Sequence, residues 1–285
     1  MWKSVSYHLR PRESSSLPFI LMHVSCLFVL LTGVSWGAVA VCLAAFWVRM
    51  FAVTAGYHRY FAHRSFKTSR TFQFILAALG TTAVQKGVLW WAANHRVHHR
   101  YSDQEGDVHS PVQRGFWWAH VGWIIGPDYE ATDLERVRDL AKFPELRWLN
   151  DHYLVPPVAL ALALFLIGGW SWLVWGFVVS TVLLWHATFT INSLAHVYGS
   201  QRYATSDQSR NNVWLALLTM GEGWHNNHHH YMNSVRQGFF WWEIDASYYV
   251  LLALSWIGVT WELIVPPQRM LDATAVVEEP QQRAA

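Results

Sequence analysis

The chain alternates between long apolar stretches without charge and polar segments rich in histidine. Residues 17–48 contain no Lys, Arg, Asp or Glu, and apolar character continues past Arg49 to Tyr57. A second uncharged stretch covers residues 153–192. Because a helix needs about 20 apolar residues to cross one bilayer core, each stretch has room for two passes.

Predicted breaks divide both stretches near their middles, at a turn over residues 32–37 and at Gly168 and Gly169. The pattern predicts an all-α membrane protein with one domain over residues 1–285. Four transmembrane helices are predicted, at residues 17–34, 38–57, 154–169 and 170–191. The polar regions predict a helical cap with interfacial helices at 58–153 and 192–265, and a disordered tail at 266–285.

An even number of passes places both termini and the cap on one side of the membrane. That side carries nearly every Lys and Arg, while the two short turns on the other face carry none. The positive-inside rule therefore predicts a multi-pass integral membrane protein with cap and termini in the cytoplasm. Residues 1–16 are predicted to be a cytoplasmic tail, since no small-residue cleavage pattern closes the apolar run that follows.

Composition agrees with a membrane protein, since 53% of the residues are hydrophobic and only 14% are charged. A net charge of +2 argues against a nucleic-acid partner. The two cysteines lie in apolar stretches without a CxxC motif, so neither a disulfide framework nor a thiolate metal site is indicated. Any metal ligands must then be nitrogen atoms.

Histidine supplies that chemistry, with 16 residues in the chain. The spacing HxxHH occurs twice, at 95–99 and 225–229, and places three imidazoles on one face of a helix. His58 and His63 form a looser pair, and His196 follows Asn192 by four residues. A lone histidine is usually a packing or surface residue, but this repetition has no ordinary packing explanation. Imidazole suits zinc, copper, iron and nickel, and since one zinc takes four ligands, so many histidines imply two metal ions.

Four sequence motifs resemble the histidine boxes of membrane fatty acyl desaturases, most closely those of the stearoyl-CoA, Δ9 type. They are HRYFAH at 58–63, the first box, NHRVHH at 94–99, the second box, GEGWHNNHH at 221–229, the third box, and the separate NSLAH at 192–196. The likeness runs from about residue 38 to 245. Boxes of this form also occur in alkane hydroxylases and carotenoid-modifying oxygenases, but the last two motifs favour the Δ9 desaturases.

The resemblance implies a di-iron centre that uses dioxygen and two electrons to introduce a cis double bond into a saturated acyl chain. The implied iron ligands are His58, His63, His95, His98, His99, His196, His225, His228 and His229, with Asn192 acting through a water. No catalytic residue beyond these ligands is expected. Because the chain has no haem, iron–sulfur or flavin motif, a separate electron carrier and reductase are implied.

Regioselectivity in this family comes from a tunnel that bends the acyl chain. The positions that match the bend are Gln85, Trp91 and Thr188. The alternative is that Trp91 is an interfacial anchor and Thr188 a core hydroxyl.

The acyl carrier is open between coenzyme A and a membrane lipid, with acyl-CoA preferred. Where the mammalian enzymes place Arg and Arg-Lys against coenzyme A, this chain has Ala93 and residues 127–128. Lys86, Arg96 and Arg100 are candidate phosphate contacts, since Lys and Arg bind phosphate well.

Further polar residues could orient the ligand rings from behind. The candidates are Asp103, Asp107, His109 and His120, for each of which a surface or packing role is equally compatible. Arg49 lies inside an apolar run and is either functional or snorkels to the cytoplasmic face.

Two other functions compete with the desaturase. A di-iron fatty acyl or alkane hydroxylase would share the boxes and yield an alcohol. A membrane metal carrier or sensor would need ligands inside the spans, where His23 and His186 are the only histidines and carboxylates are absent.

Overall fold

The computed structural model describes residues 16–126 and 129–273 and is mostly helical, which confirms the predicted class. Two helices are long and apolar enough to cross a membrane, Trp36–Ala62 and Val155–His196. A shorter apolar helix, Ser16–Thr32, precedes them. We call Ser16–Thr32 the first helix, Trp36–Ala62 the second helix and Val155–His196 the kinked helix.

The breaks in these helices have local causes. Gly33, at φ 65°, ends the first helix, and the Ser35 side chain caps the second by accepting a hydrogen bond from Ala38 N at 3.1 Å. Gly169, at φ 62° and ψ −156°, divides the kinked helix into two arms. Both breaks fall where the sequence predicted turns, because glycine adopts a positive φ without steric cost.

The outer faces of these helices are apolar. Leu31 and Leu166 are each 81% exposed. In the most apolar 18-residue segment of the kinked helix, only 11% of the residues are buried. A soluble monomer rarely exposes apolar surface on this scale. The surface is therefore that of a membrane-associated protein.

The cap is built from shorter helices. They are Arg70–Thr81, Val88–Tyr101, Pro144–Asp151, Val213–Leu218, His225–His230 and Ala246–Trp256, with short turns at Pro111–Arg114, Trp118–Gly122, Trp123–Ile125, Leu134–Val137, Arg138–Ala141 and Gln268–Leu271. Strands Lys67–Thr68 and Thr260–Trp261 pair antiparallel.

The main core lies where the end of the second helix packs against three cap helices, Arg70–Thr81, Val88–Tyr101 and Pro144–Asp151. Glycine permits this approach, since a Cβ atom on Gly80 would lie 2.5 Å from the Tyr57 ring. The end of the second helix, which carries His58, is thus held inside the cap.

The tail is partly ordered. The sequence predicted disorder from residue 266, but Gln268–Leu271 forms a helical turn. Its carbonyl at Met270 lies 3.1 Å from His230 Nε2, and the His230 ring stacks on Tyr203. The tail is anchored to the third histidine box as a result, and residues from 274 onward lie outside the described part.

Candidate metal centre

The second helix delivers the first histidine pair through a wider turn. Hydrogen bonding changes from α to π type over Ala52–Ala62, and His63 N donates to His58 O at 3.2 Å. The two rings consequently lie 4.8 Å apart. Such π segments are frequent at functional sites.

Five histidines meet in a first group. They are His58, His63, His95, His99 and His228, and their ligand atoms all lie within 4.8 Å of one another. The Nε2 atoms of His58 and His228 are 3.0 Å apart, and those of His63 and His95 are 2.9 Å apart. The second helix therefore converges on one point with helices Val88–Tyr101 and His225–His230.

Four histidines form a second group beside it, namely His98, His196, His225 and His229. The Nε2 atoms of His196 and His225 are 3.0 Å apart. Those of His98 and His229 are buried and have no hydrogen-bond partner within the described residues. His98 and His99, adjacent on one helix, thus serve different groups.

Two carboxylates orient rings of the second group from one loop. His98 Nδ1 donates to Asp107 at 2.9 Å, and His196 Nδ1 donates to Asp103 at 2.8 Å. Each bond fixes the proton on Nδ1 and leaves Nε2 with a free lone pair, as a metal ligand requires.

Two more carboxylates orient rings from other segments, Asp207 in the second group and Glu222 in the first. His229 Nδ1 donates to Asp207 at 2.7 Å, and His58 Nδ1 is hydrogen-bonded to Glu222. Sequence reasoning missed both residues as ring partners. Glu222 lies inside the third box, so its role as a ring partner could have been predicted. Asp207 lies outside every box, and nothing in its sequence spacing points to this role.

Arg59 secures Glu222 from behind. Its fully buried guanidinium donates to Glu222 at 3.0 Å and to Asp245 at 2.9 Å. Asp245 also caps helix Ala246–Trp256 through Tyr248 N. The orientation of the His58 ring is thereby connected to the fold of the cap.

An amide network fixes the third box. Asn227 donates to Glu243 at 2.9 Å and to Gln237 O at 3.0 Å, and it accepts from Asn211 at 2.8 Å. The amide of Asn227 is thus engaged on both its nitrogen and its oxygen. This network holds helix His225–His230, which is too short to be stable by itself.

Electrostatics keep most of these imidazoles neutral. Burial, followed by repulsion from neighbouring rings, holds the pKa well below its usual value for His63, His95, His99, His225 and His228. Burial also lowers the pKa of His229 to about 4, against the opposing pull of Asp207. His98 differs, because the lowering by burial is outweighed by the charge and hydrogen bond of Asp107 together with the charges of Asp103 and Asp207, and its pKa is raised.

These residues fit metal ions. The Nε2 atoms of facing rings lie about 3 Å apart, an arrangement that a shared cation would stabilise. The donor set is nitrogen, and imidazole suits iron, zinc, copper and nickel.

Comparison with known proteins now decides the family. The family model described as fatty acid desaturase matches residues 34–262. The chain belongs to the fatty acid desaturase family. This desaturase is 38% identical over 248 residues to an sn-1 stearoyl-lipid 9-desaturase of Anabaena variabilis, which covers 86% of this chain and 91% of the relative.

Relatives named for either acyl carrier are similarly close. An acyl-CoA C20 Delta5-desaturase of Anemone leveillei is 37% identical over 251 residues, covering 87% of this chain and 80% of the relative. A Delta-9 acyl-lipid desaturase of Arabidopsis thaliana is 37% identical over 246 residues, covering 85% and 80%. Identity alone does not separate the two carriers.

A cavity of about 330 Å³, the inner cavity, leads from the histidines of this desaturase into the helices. Asn192 lines it beside His98 and His225. It also reaches Pro18 in the first helix and Leu154 at the start of the kinked helix. Its size is in the range of small-molecule sites, about 300–1,000 Å³.

Gln85, Trp91 and Thr188 come together on the wall of the inner cavity. Trp91 Nε1 donates to Gln85 Oε1 at 3.2 Å, and Gln85 Nε2 donates to Thr188 Oγ1 at 2.9 Å. Gln85 is flanked by Val84 and Lys86, which have φ of 57° and 63°. Strain of this kind in a β-branched residue such as Val84 is typical of functional segments.

His109 and His120 lie in different surroundings. His109 lines the inner cavity, its ring is 4.2 Å from that of His98, and its Nδ1 has no partner among the described residues. His120 does not reach a ligand ring, because its ring is held between Ser193 and His186, each at 3.0 Å.

The three candidate phosphate contacts also differ. Lys86 lines the inner cavity, and Arg100 lies on the exposed side of its helix. The guanidinium of Arg96 is paired with Asp139 and donates to three backbone carbonyls. Residues 127–128 lie outside the described part.

Arg49 has an internal role and does not snorkel. It is 2% exposed and donates to Ser180 at 2.5 Å, to Thr181 at 2.7 Å and to the carbonyl of Thr82 at 3.3 Å. It joins the second helix to the kinked helix through hydroxyl groups.

Proposed function

We propose that this chain is a di-iron fatty acyl desaturase that introduces a cis double bond at carbon 9 of a saturated acyl chain. The acyl chain is attached to coenzyme A or to a membrane lipid, and dioxygen is the co-substrate. A separate electron carrier and its reductase supply two electrons. The observation that carries the proposal is the pair of histidine groups beside the inner cavity. Relatives named as 9-desaturases support this position of the double bond.

We propose that each histidine group binds one iron ion, with Asn192 completing the second group through a water. When bound, the irons supply the activation of dioxygen, so that an acyl CH₂–CH₂ unit, O₂, two electrons and two protons yield CH=CH and two waters. The four carboxylates keep the Nδ1 protons in place. Burial of the histidines excludes water, which protects the oxidising chemistry from side reactions.

The acyl chain is positioned by shape, because a methylene offers no polar handle. We propose that the hydrogen-bonded Gln85, Trp91 and Thr188 fix the bend that brings carbons 9 and 10 to the irons. Trp91 suits this role, since its ring stacks on that of His95 at 4.8 Å.

We further propose four passes through the bilayer, with the cap and both termini in the cytoplasm. The kinked helix, with 42 residues and a break at Gly169, has the length for two passes. The first helix has the minimum length for one. Lys86 is the favoured phosphate contact, whereas Arg96 and Arg100 are placed less favourably.

The test is expression in a host that lacks its own desaturase, with fatty acids profiled by mass spectrometry. The protein is compared with His98→Ala and with His152→Ala, which alters an exposed ring bonded only within its own helix. We expect a cis-monoene from the protein and from His152→Ala but not from His98→Ala. Hydroxy acids would indicate the hydroxylase, and no product despite bound iron and a supplied donor would refute the proposal.

A further inference from the structure

A second cavity adjoins the inner one. This outer groove, of about 500 Å³, lies between the first helix and both arms of the kinked helix. The two cavities share four lining residues, Pro18, Val84, Leu154 and Trp185. They therefore meet where the first and kinked helices begin, and diverge from that point.

The described lining of the outer groove is entirely apolar. Val158 and Leu162 lie on its rim and are 54% and 57% exposed, so the groove is open on the outer face of the helix bundle. It continues along the kinked helix to Trp170, beyond Phe165. An apolar groove that runs along a membrane helix matches the shape and chemistry of an extended hydrocarbon chain.

The described lining of the two cavities carries little positive charge. Among the described residues that line either cavity, Lys86 is the one Lys or Arg, and its Nζ lies 5.0 Å from the centroid of the Trp90 ring. Arg96, the nearest alternative in sequence, is engaged by Asp139. Recognition of coenzyme A, with its several phosphates, would call for more cations, whereas one Lys is sufficient for the single phosphate of a glycerolipid.

We propose that this desaturase acts on an acyl chain of an intact diacyl glycerolipid and holds both chains at once. The reacting chain occupies the inner cavity, the other chain lies in the outer groove, and the glycerol and headgroup sit near Lys86, Pro18 and Leu154. This inference rests on the proposed function and selects its carrier. A single-chain acyl-CoA has no second chain to place in the outer groove.

Photo-crosslinking tests the second chain directly. The purified protein is placed in dioleoyl phosphatidylglycerol vesicles that contain phosphatidylglycerol with one stearoyl chain and one diazirine-bearing chain. We expect labelling on the groove wall around Val158 and Leu162. Ala161→Trp, which fills the groove, should lower this labelling about tenfold, and Ala159→Trp, on the exposed side of the same helix and away from both cavities, should not.

Turnover separates the two carriers. With iron and an electron donor supplied, Ala161→Trp should lower conversion of the diacyl lipid about tenfold and leave conversion of stearoyl-CoA unchanged. Val158→Trp provides a second groove-filling variant at an exposed position that tolerates a large side chain.

Several results would overturn the two-chain proposal. One is labelling that is equal in the wild type and in both groove variants, and another is equal loss of activity on both carriers. If the protein converts stearoyl-CoA but not the diacyl lipid, the desaturase proposal stands and the two-chain proposal fails. If it converts neither, the desaturase proposal fails, and the crosslinking pattern alone decides the lipid site.

Discussion

The carboxylate of Glu222 and the Nδ1 atom of His58 form a buried hydrogen bond behind the first histidine group. Because the other carboxylate oxygen is held by Arg59, Glu222 cannot turn away. The ring of His58 therefore presents Nε2 to the other histidines in one orientation.

Glu222→Gln tests the value of this orientation. The amide keeps the shape but loses the charge that favours the Nδ1–H tautomer, and we expect metal affinity to fall about 10–100-fold. A chelator titration with metal analysis measures this. Glu105→Gln, at an exposed position, is the matched control. Equal affinity in all three proteins would show that Glu222 serves folding alone.

Thr188→Val tests the bend of the inner cavity. The substitution keeps the volume but removes the hydroxyl that accepts from Gln85, at a cost to stability of about 1 kcal/mol. We expect metal content to be unchanged and the double bond to spread over neighbouring positions, as seen by localisation of the products. Thr190→Val, whose hydroxyl bonds only within its own helix, should keep a single product. A single product from Thr188→Val would show that the Thr188 hydroxyl does not fix the position of the double bond.

Asn227→Leu tests the support of the third box. The change leaves the amide of Asn211 and the buried carboxylate of Glu243 without this partner, and we expect a loss of at least about 2 kcal/mol in the free energy of unfolding. Denaturant unfolding in detergent gives the value. Asn233→Leu, at an exposed position of the following loop, should change stability little. Comparable values for both variants would contradict the proposed network.

Acid should destabilise the metal-free protein. The folded state lowers the pKa of five buried imidazoles, so the unfolded state, with histidine pKa near 6.5, binds more protons below that pH. Stability therefore falls as pH drops below about 6.5, by up to about 1.4 kcal/mol per histidine for each pH unit.

Other groups do not mask this effect. The raised pKa of His98 makes its contribution change only above about pH 6.5, and the lowered pKa of Asp107 acts only below about pH 4. Unfolding of the metal-free protein at pH 6.5 and 5.5, between these two ranges, measures the loss. Equal stability at the two values would mean that the imidazoles are not buried as neutral rings.

Much of this arrangement could be predicted from local pattern. Helix periodicity places His95, His98 and His99 on one face, and glycine at positions 33 and 169 ends apolar runs. The sequence could not assign His98 and His99 to different groups, because that depends on how separate helices cross.

The partners behind the ligands were harder to predict. Asp103 and Asp107 are close in sequence to the second box, but Asp207 reaches His229 through the path of a loop, 22 residues away. His120 was expected near the ligand rings and lies against His186 instead, because the segment Trp118–Gly122 packs on the kinked helix. Arg96 was expected to face phosphate but is paired with Asp139.

A stearoyl chain deuterated at carbons 9 and 10 tests directly whether this protein removes one hydrogen from each of these carbons. The iron-loaded protein is supplied with dioxygen and an electron donor, and the product is analysed by mass spectrometry. We predict a cis-monoene that has lost one deuterium from each of carbons 9 and 10. An alcohol that has lost a single deuterium, or a monoene that retains all the deuterium, would contradict the account.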